Sequence, residues 1–477
     1  MTSSKVSVGQ QNTGAGKTPM LKRRDGTVLD GANVQTFMDA FGGTALAPGN
    51  AGYDAARRLW NASIDKYPGL IAQCSSTADV VHAVKFARSH NLIASIKGGG
   101  HNVAGRALCD NGIVIDLSPM KRISVDPLLR TVQVQAGALL GDVDRETHAY
   151  GLAIPAGVMS KTGIAGLTLG GGVGWLVRKY GLTCDNLLGC EVVTAEGKIV
   201  TADTVTNPDL FWGLRGGGGN FGIVTSFRFQ AHPVSTVLGG VVLYPRDQAA
   251  SVFRFYRDFM ESAPEELTVY AGLISTPEGM PAVALMACYC GDPTEGERVM
   301  QPLRTIATPV FEAIQVMPFP VMQKFADESN PDGIHNYWRS TFLQELSDEV
   351  IDLVIAHGDK AGSPLSQVLV QIFNGAVRKI DDAATAFAHR RAGFHIGIEA
   401  KWTDPEESPK HIAWSHAFWD ALGPYSIHGS LVNFLGEEGM EGTRAAFGSN
   451  YERLVELKSK YDPTNFFSLN VNVKPRA

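Results

Sequence analysis

Glycine is bunched in this chain, and the bunching limits the folds open to it more than any other feature. Runs lie at residues 98–100, 170–172 and 216–219. Scattered glycines mark loops, whereas a run lets bare backbone press against something a Cβ would displace. The first run sits in "SIKGGGHNVAG", where a strand-like stretch ends and a histidine follows at once. Consecutive glycines can aim several backbone N–H groups at one anion, and the diphosphate of a dinucleotide would suit them. A tight turn between two strands would carry the same residues, and this run alone leaves both readings open. The second, "PAGVMSKTGIAGLTLGGGVGWLVRKYGLTCDNLLG", has eight glycines from 157 through 181. Two such runs in one domain point to an extended flat ligand bedded in backbone.

Two common nucleotide motifs do not fit. There is no G-x-x-x-x-G-K-[ST] loop, and a nicotinamide-binding Rossmann turn should lead from a strand into a helix. Here the first run leads into the apolar strand "GIVIDL", and "RGGGGNFGIV" also runs into a strand. No clear strand precedes "GGGVGWLVRKYG". The net charge of −6 argues against nucleic acid as a partner. The six cysteines show no Cys-x-x-Cys pair and no zinc spacing, so they read as core thiols and no metal site is expected. The polar start of the chain lacks a secretory apolar stretch, and no window is long enough to span a bilayer. Residues 1–30 therefore read as a disordered leader, with no membrane partner and a cytoplasmic location.

From 31 to 235, short strands alternate with helices. "TADVVHAVKFARSHN" is a helix with Thr77 as its N-cap, residues 52–61 are helical, and "CEVVTAEGKIVTA" is a hairpin turning at Glu196-Gly197. After 236 the helices lengthen, as in "RDQAASVFRFYRDFMESAP", and alternate with strands such as "LTVYAGLI", "AVALMACY", "VLVQIF" and "FHIGIEAKW". The chain of 477 residues thus divides into an α+β domain over 31–235, a second domain over 236–430 and a C-terminal segment over 431–477. In "FHIGIEAKW", the period of two puts His395, Gly397, Glu399 and Lys401 on one face.

With "DLFWGLRGGGGNFGIVT" and "YDPTNFFSLNVNV" added to the two glycine stretches, the chain resembles the FAD-linked oxidases of the vanillyl-alcohol oxidase/p-cresol methylhydroxylase superfamily, in the berberine-bridge-enzyme-like branch. The resemblance runs from Leu70 to the C-terminus and is closest to bacterial members. It implies a PCMH-type FAD-binding domain of two α/β subdomains and a substrate domain whose antiparallel sheet is covered by helices. It implies FAD bound covalently through the 8α carbon to His101. Some relatives add a cysteine link, but that position falls at Met159, so attachment through His101 only is expected. Further flavin contacts carry over to Lys97, Gly98, Gly99, Gly100, Asn102 and Gly105 in the first stretch. In the second they fall at Thr162, Gly163, Gly166, Thr168, Gly172 and Gly174, with Asp185 and Asn186 near the ring. Gly222, Ile223 and Val224 fall near the adenine, and Asn470 and Asn472 would reach the ring from one side of a strand.

The resemblance also implies hydride transfer from a small alcohol or amine, such as an alkaloid-like secondary metabolite, to flavin N5. O₂ would then be the acceptor and H₂O₂ the product. A carbohydrate substrate and a dehydrogenase with a non-oxygen acceptor are the alternatives, as is a flavin-loaded binding protein without turnover. Thr162 stands where oxidases often carry Val, a polar change at the site of oxygen access. The carboxylate base of relatives falls at Gly397 and is missing. Glu399 is the candidate replacement, with His395 and Tyr337 behind it, and Gln371, Trp402 and Asn433 are expected in the substrate pocket. Monomer and homodimer both stay open.

Overall fold

The computed structural model describes residues 20–436 and 438–476. Three sheets carry it. The first joins β1 (Thr44–Leu46), β2 (Leu70–Gln73), β3 (Ala94–Lys97) and β4 (Ile113–Asp116) in the order β1-β2-β4-β3. β2 and β3 both run parallel to β4, because the helix Thr77–Ser89 carries the chain back between them. That helix is capped by Ser76, one residue before the expected Thr77, through a reciprocal pair with Asp79. The Thr77 hydroxyl instead reaches Glu191 Oε1 at 2.7 Å.

The second sheet joins β5 (Ile123–Asp126), β6 (Thr131–Gln135), β7 (Leu187–Val193), β8 (Ile199–Asp203) and β9 (Ile223–Gln230) in the order β5-β6-β9-β7-β8, antiparallel throughout. The β7–β8 hairpin turns at Gly197, at a φ of 72° that an L side chain resists. One continuous core runs beneath both sheets, from Leu70 through Phe227 to Phe467.

The third sheet is a seven-stranded antiparallel layer. It contains β10 (Thr236–Pro245), β11 (Leu267–Ser275), β12 (Pro281–Tyr289), β13 (Phe311–Pro318), β14 (His335–Leu343), β15 (Gln367–Ile372) and β16 (Phe394–Trp402), in the order β13-β10-β12-β11-β15-β16-β14. Helices Ala249–Ser262, Asp348–Gly358 and Ser408–Leu422 cover one face and share its core. The other face looks toward the glycine runs.

Three expectations change here. Residues 1–19 of the expected leader lie outside the described residues, but 20–30 pack on the first sheet, with Leu21 and Leu29 buried and Lys22 bridged to Val28. Of the stretch read as helix over 52–61, only Tyr53–Ala56 is helical; residues 57–61 form an irregular strap. Residues 466–476 join no sheet, so Asn470 and Asn472 do not sit on a strand. That segment is held instead by Asn220, whose amide donates to Val471 O and accepts from Val473 N. The repeated Asn-Val is a polar–apolar alternation that mimics a strand but pairs through side chains.

Candidate active site

A cavity of about 380 Å³ lies between the glycine-rich walls and the uncovered face of the third sheet. Its first wall is backbone. The loop after β3 puts Gly98 to Asn102 on it, and Thr162, Gly163 and Gly166 come from the next run. These two stretches touch main chain to main chain: a Cβ on Gly99 would stand 2.5 Å from Gly163 Cα. No L side chain fits at such a contact, which is why glycine is required on both sides. Gly218, Gly219, Gly222, Ile223 and Val224 extend the wall toward β9. Phe467, Leu469, Asn470 and Val471 close it from the C-terminal segment.

The second wall is built of side chains, set in rungs by strand register. Gln367 and Trp338 flank Glu399, Leu369 flanks Gly397, and Gln371 flanks His395. Directly opposed residues of antiparallel strands share a face, and all seven of these residues line the cavity, whereas Ser340 and Phe342, the β14 partners of Gly397 and His395, do not. Tyr270 and Met286 continue the Gln371 rung across β11 and β12. Sequence reading missed these two; the signal was available in the alternation of "LTVYAGLI", but both faces of that strand are apolar.

Glu399 is buried and held by two donors on Oε2, Gln367 Nε2 at 2.6 Å and Lys401 Nζ at 3.1 Å. Its Oε1 faces the notch left by Gly397, 3.8 Å from where a Cβ there would sit. Lys401 is fully buried and also donates to Asn330 Oδ1. Burial lowers its pKa, and the neighbouring Glu399 carboxylate works against that shift. His395 closes the notch from the other side, 3.9 Å from the same Cβ position. Burial lowers its pKa to about 3, so the ring is neutral at pH 7, and its Nε2 has no partner among the described residues. His101 lines the cavity at the far end of the first loop, also neutral because burial takes its pKa to about 4. Met159, Asn433 and Phe434 complete that end.

Several expected site residues are elsewhere. Lys97 turns away from the cavity, donating to Ala56 O at 2.7 Å and pairing with Asp116. At Gly105, Gly172 and Gly174 a Cβ would strike Ile64, Thr183 and Ala156 O, so these glycines serve internal packing. The Thr168 hydroxyl bonds within its own helix turn, to Ile164 O. Asn186 spends its amide on Tyr180 O and Leu182 O, and Asp185 is locked in a buried pair with Arg390. Asn472 does not reach the cavity lining. Trp402 and Tyr337 fall on the helix-covered face: Trp402 donates to Ser408, and Tyr337, opposite Ala400, meets His416 at 2.9 Å. Register decides both cases, since Trp338 and not Tyr337 pairs with Glu399.

An elongated flat cofactor can be tested against the shape of the first wall. A Cβ at Gly166 or Gly219 would meet nothing within 4 Å, although both line the cavity. The space in front of them is therefore reserved, not filled. Asn470 Oδ1 is buried at the rim without a partner among the described residues, which marks a missing polar contact. A backbone cleft with open space before Gly166 and Gly219 and an orphaned amide oxygen at its rim fits a long polar–aromatic guest.

Comparison with known proteins agrees with that shape. Residues 68–203 match the family described as "FAD binding domain", and residues 431–474 match "Berberine and berberine like". The chain is 33% identical to an FAD-linked oxidoreductase of Dictyostelium discoideum, covering 93% of this chain and 97% of that protein. It is 28% identical to a carbohydrate oxidase of Microdochium nivale, over 94% of this chain and 96% of the other. The crystal structure of 6-hydroxy-D-nicotine oxidase from Arthrobacter nicotinovorans superposes with a TM-score of 0.85 at 28% identity, covering 92% of this chain and 99% of that one.

Proposed function

The chain belongs to the berberine-bridge-enzyme-like FAD-linked oxidoreductases, and from that premise we propose that it oxidises a compact, largely apolar amine or alcohol. The observation that carries the proposal is the notch at Gly397. There Glu399 and His395, with Gln367 and Gln371 beside them, form a narrow polar strip in a wall whose largest side chains are Trp175, Tyr270, Met286, Phe325, Trp338 and Phe434. A substrate with a single hydroxyl or amine could put that group against Glu399 Oε1 and its carbon skeleton against the aromatic rings. A carbohydrate, with a hydroxyl on nearly every carbon, would leave most of them unpaired against this wall.

Bound FAD would supply a ring that accepts a hydride from the substrate carbon and passes the electrons to O₂, giving H₂O₂. Gly98 to Gly100, Thr162, Gly163, Gly166, Gly219 and Gly222 would hold it through their backbone, with Asn470 at the rim. We assign its covalent attachment to His101 alone, since Met159 cannot form a second link of the cysteine type. In support, the His101 imidazole is neutral and so keeps a lone pair for bonding.

Glu399 takes the proton from the substrate's hydroxyl or N–H as the hydride leaves. Gln367 and Lys401 hold its Oε2 and so fix Oε1 toward the notch. His395 serves as a neutral hydrogen-bonding partner on the other side. We place the protein in the cytoplasm, in keeping with six free, buried cysteines. Among the described residues no helix is long and apolar enough to cross a membrane.

The test is a peroxide screen of amines, alcohols and oligosaccharides under air, with flavin bleaching under anaerobiosis as the parallel readout. Turnover of small amines or alcohols with peroxide release is expected. Bleaching without peroxide would replace O₂ by another acceptor, and preferential oxidation of oligosaccharides would overturn the substrate class.

A further inference from the structure

The strap at residues 57–61 is absent from the cavity lining, yet it is built against the one loop residue assigned a covalent role. Leu59 lies under the loop, where its Cδ2 would be 3.1 Å from a Cβ on Gly100. The next residue, Trp60, lays its indole flat on the His101 imidazole, with centroids 4.2 Å apart and planes 13° from parallel. The indole is itself fixed on its other sides. Its Nε1 donates to Asn330 O at 3.1 Å, and its ring meets Trp338 edge-on at 5.3 Å. Its backbone N–H reaches Gly100 O, and its carbonyl accepts from Gly333 N. The following Asn61 ties Val103 O to Asn336 O with one amide. Trp60 is 5% exposed and belongs to a small cluster with Val103, Met159 and Trp338, separate from both domain cores.

We propose that Trp60 is a positioning residue for flavin attachment: by stacking on one face of His101 it holds the imidazole in a single plane at the cavity edge, ready to bond the flavin. This rests on the reading that His101 carries the flavin. The physical argument is one of direction. Nitrogen lone pairs lie in the plane of an imidazole, so a flat partner against its face leaves them unobstructed while stopping rotation about the side chain. One ring nitrogen is engaged by the residue's own backbone, so the stack sets the plane while leaving the other nitrogen's lone pair clear. Orientation of this kind acts on rate, because only a near-attack geometry is productive. In the attachment step, a bond forms between an imidazole nitrogen and the 8-methyl carbon. Nitrogen and carbon each lose a proton, and the two electrons left over pass to O₂, which leaves with the two protons as hydrogen peroxide.

The strap also explains why the residue is a tryptophan. Only a bicyclic ring can cover His101 and still carry its N–H to Asn330 on the segment preceding β14. The plane of the imidazole is thereby referenced to the third sheet, on which the substrate wall stands.

The experiment compares full-length wild type with Trp60→Phe, Trp60→Leu and Trp60→Met. Each is produced under flavin limitation and saturated with FAD under air, and the flavin that precipitates with protein in acid is followed against time. Total bound flavin before acid is measured on the same samples. The expected result is full total flavin occupancy before acid in all four. Acid-stable flavin should form at least about tenfold more slowly in the Leu and Met variants, and within about threefold of wild type in Trp60→Phe. Wild-type rates in Leu or Met would overturn the role of Trp60 while leaving attachment at His101 intact. A Phe variant as slow as Leu would overturn stacking as the cause. Should Trp60→Leu fail to fold, Trp60→Met carries the same two outcomes. A wild type that never holds acid-stable flavin would overturn the attachment reading itself, and the role of Trp60 with it.

Discussion

On one side of the cavity, a Cβ added to Gly99 would stand 2.5 Å from another backbone; on the other, a Cβ added to Gly397 would meet nothing nearer than Phe434 at 3.5 Å. Where Gly99 meets Gly163, the first wall is main chain against main chain, with no tolerance for substitution. The second is a sheet face whose side chains can be exchanged with the strands left in place. A wall of backbone suits a guest that never changes, because its donors are set by φ and ψ and not by residue identity. A wall of side chains suits a guest that differs from one relative to the next. This chain is similar both to a 6-hydroxy-D-nicotine oxidase structure and to a carbohydrate oxidase.

The comparison breaks most easily at the first wall. Gly99→Val is expected to cost about 3 kcal/mol or more through overpacking against Gly163, and to yield protein without the yellow absorbance of wild type. Gly166→Ala sharpens the point, because its Cβ has room and its site is helical. That variant should gain about 0.5–1 kcal/mol in the cofactor-free protein, seen as a higher melting temperature, and still bind less flavin. If Gly166→Ala binds flavin normally, the space before it is not reserved for the cofactor.

At the second wall the expected losses are chemical. Glu399→Gln should lower kcat by about 10²–10⁴-fold, with flavin content unchanged, measured by peroxide formation. It also leaves Lys401 buried without its carboxylate, a loss of up to about 3–5 kcal/mol. Glu399→Gln with Lys401→Met should recover much of that stability in a denaturant titration, but none of the activity.

A smaller effect belongs to His395, and its sign follows from linkage. Its pKa is about 3 in the folded chain against 6.5 for an unhindered histidine. The unfolded chain therefore binds the extra proton first, and stability falls as pH drops from about 6.5 toward 3. At pH 4.5 this amounts to about 2–3 kcal/mol. His395→Gln should lose correspondingly less stability than wild type between pH 7 and 4.5, read from denaturant midpoints. The smallest effect is expected at Tyr337, which stands on the helix-covered face. Tyr337→Phe should change kcat by less than about twofold and stability by about 1 kcal/mol. A large kcat loss there would mean that the register of β14 is misread.

The two walls also differ in how far the sequence reveals them. The glycine runs are legible because steric exclusion writes residue identity directly: nothing but glycine survives at Gly99 or Gly163. The strands of the third sheet are legible as strands, since their apolar runs are long. Which face each residue takes is not, because β16 is buried on both sides and Trp402 looks as suited to a pocket as Trp338. Register settled that, and register depends on partners remote in the chain. Glu399, Gln371 and His395 reach the cavity lining because one face of "FHIGIEAKW" and "VLVQIF" carries polar groups. Lys97, Thr168, Asn186 and Asn472 lie outside the cavity lining, because a motif identifies a loop and only some residues of a loop point inward.

The C-terminal segment has a consequence in time. Phe467 to Val471 close the cavity that Gly98 begins, and Lys458 pins the segment by donating to Asn220 O, Phe467 O and Asp462. At about 5–20 residues per second, Val471 leaves the ribosome roughly 20 to 75 s after Gly98. Throughout that interval the cleft lacks the side that Phe467 to Val471 supply. The cleft is thus complete only at the end of synthesis, because its two sides lie far apart along the messenger.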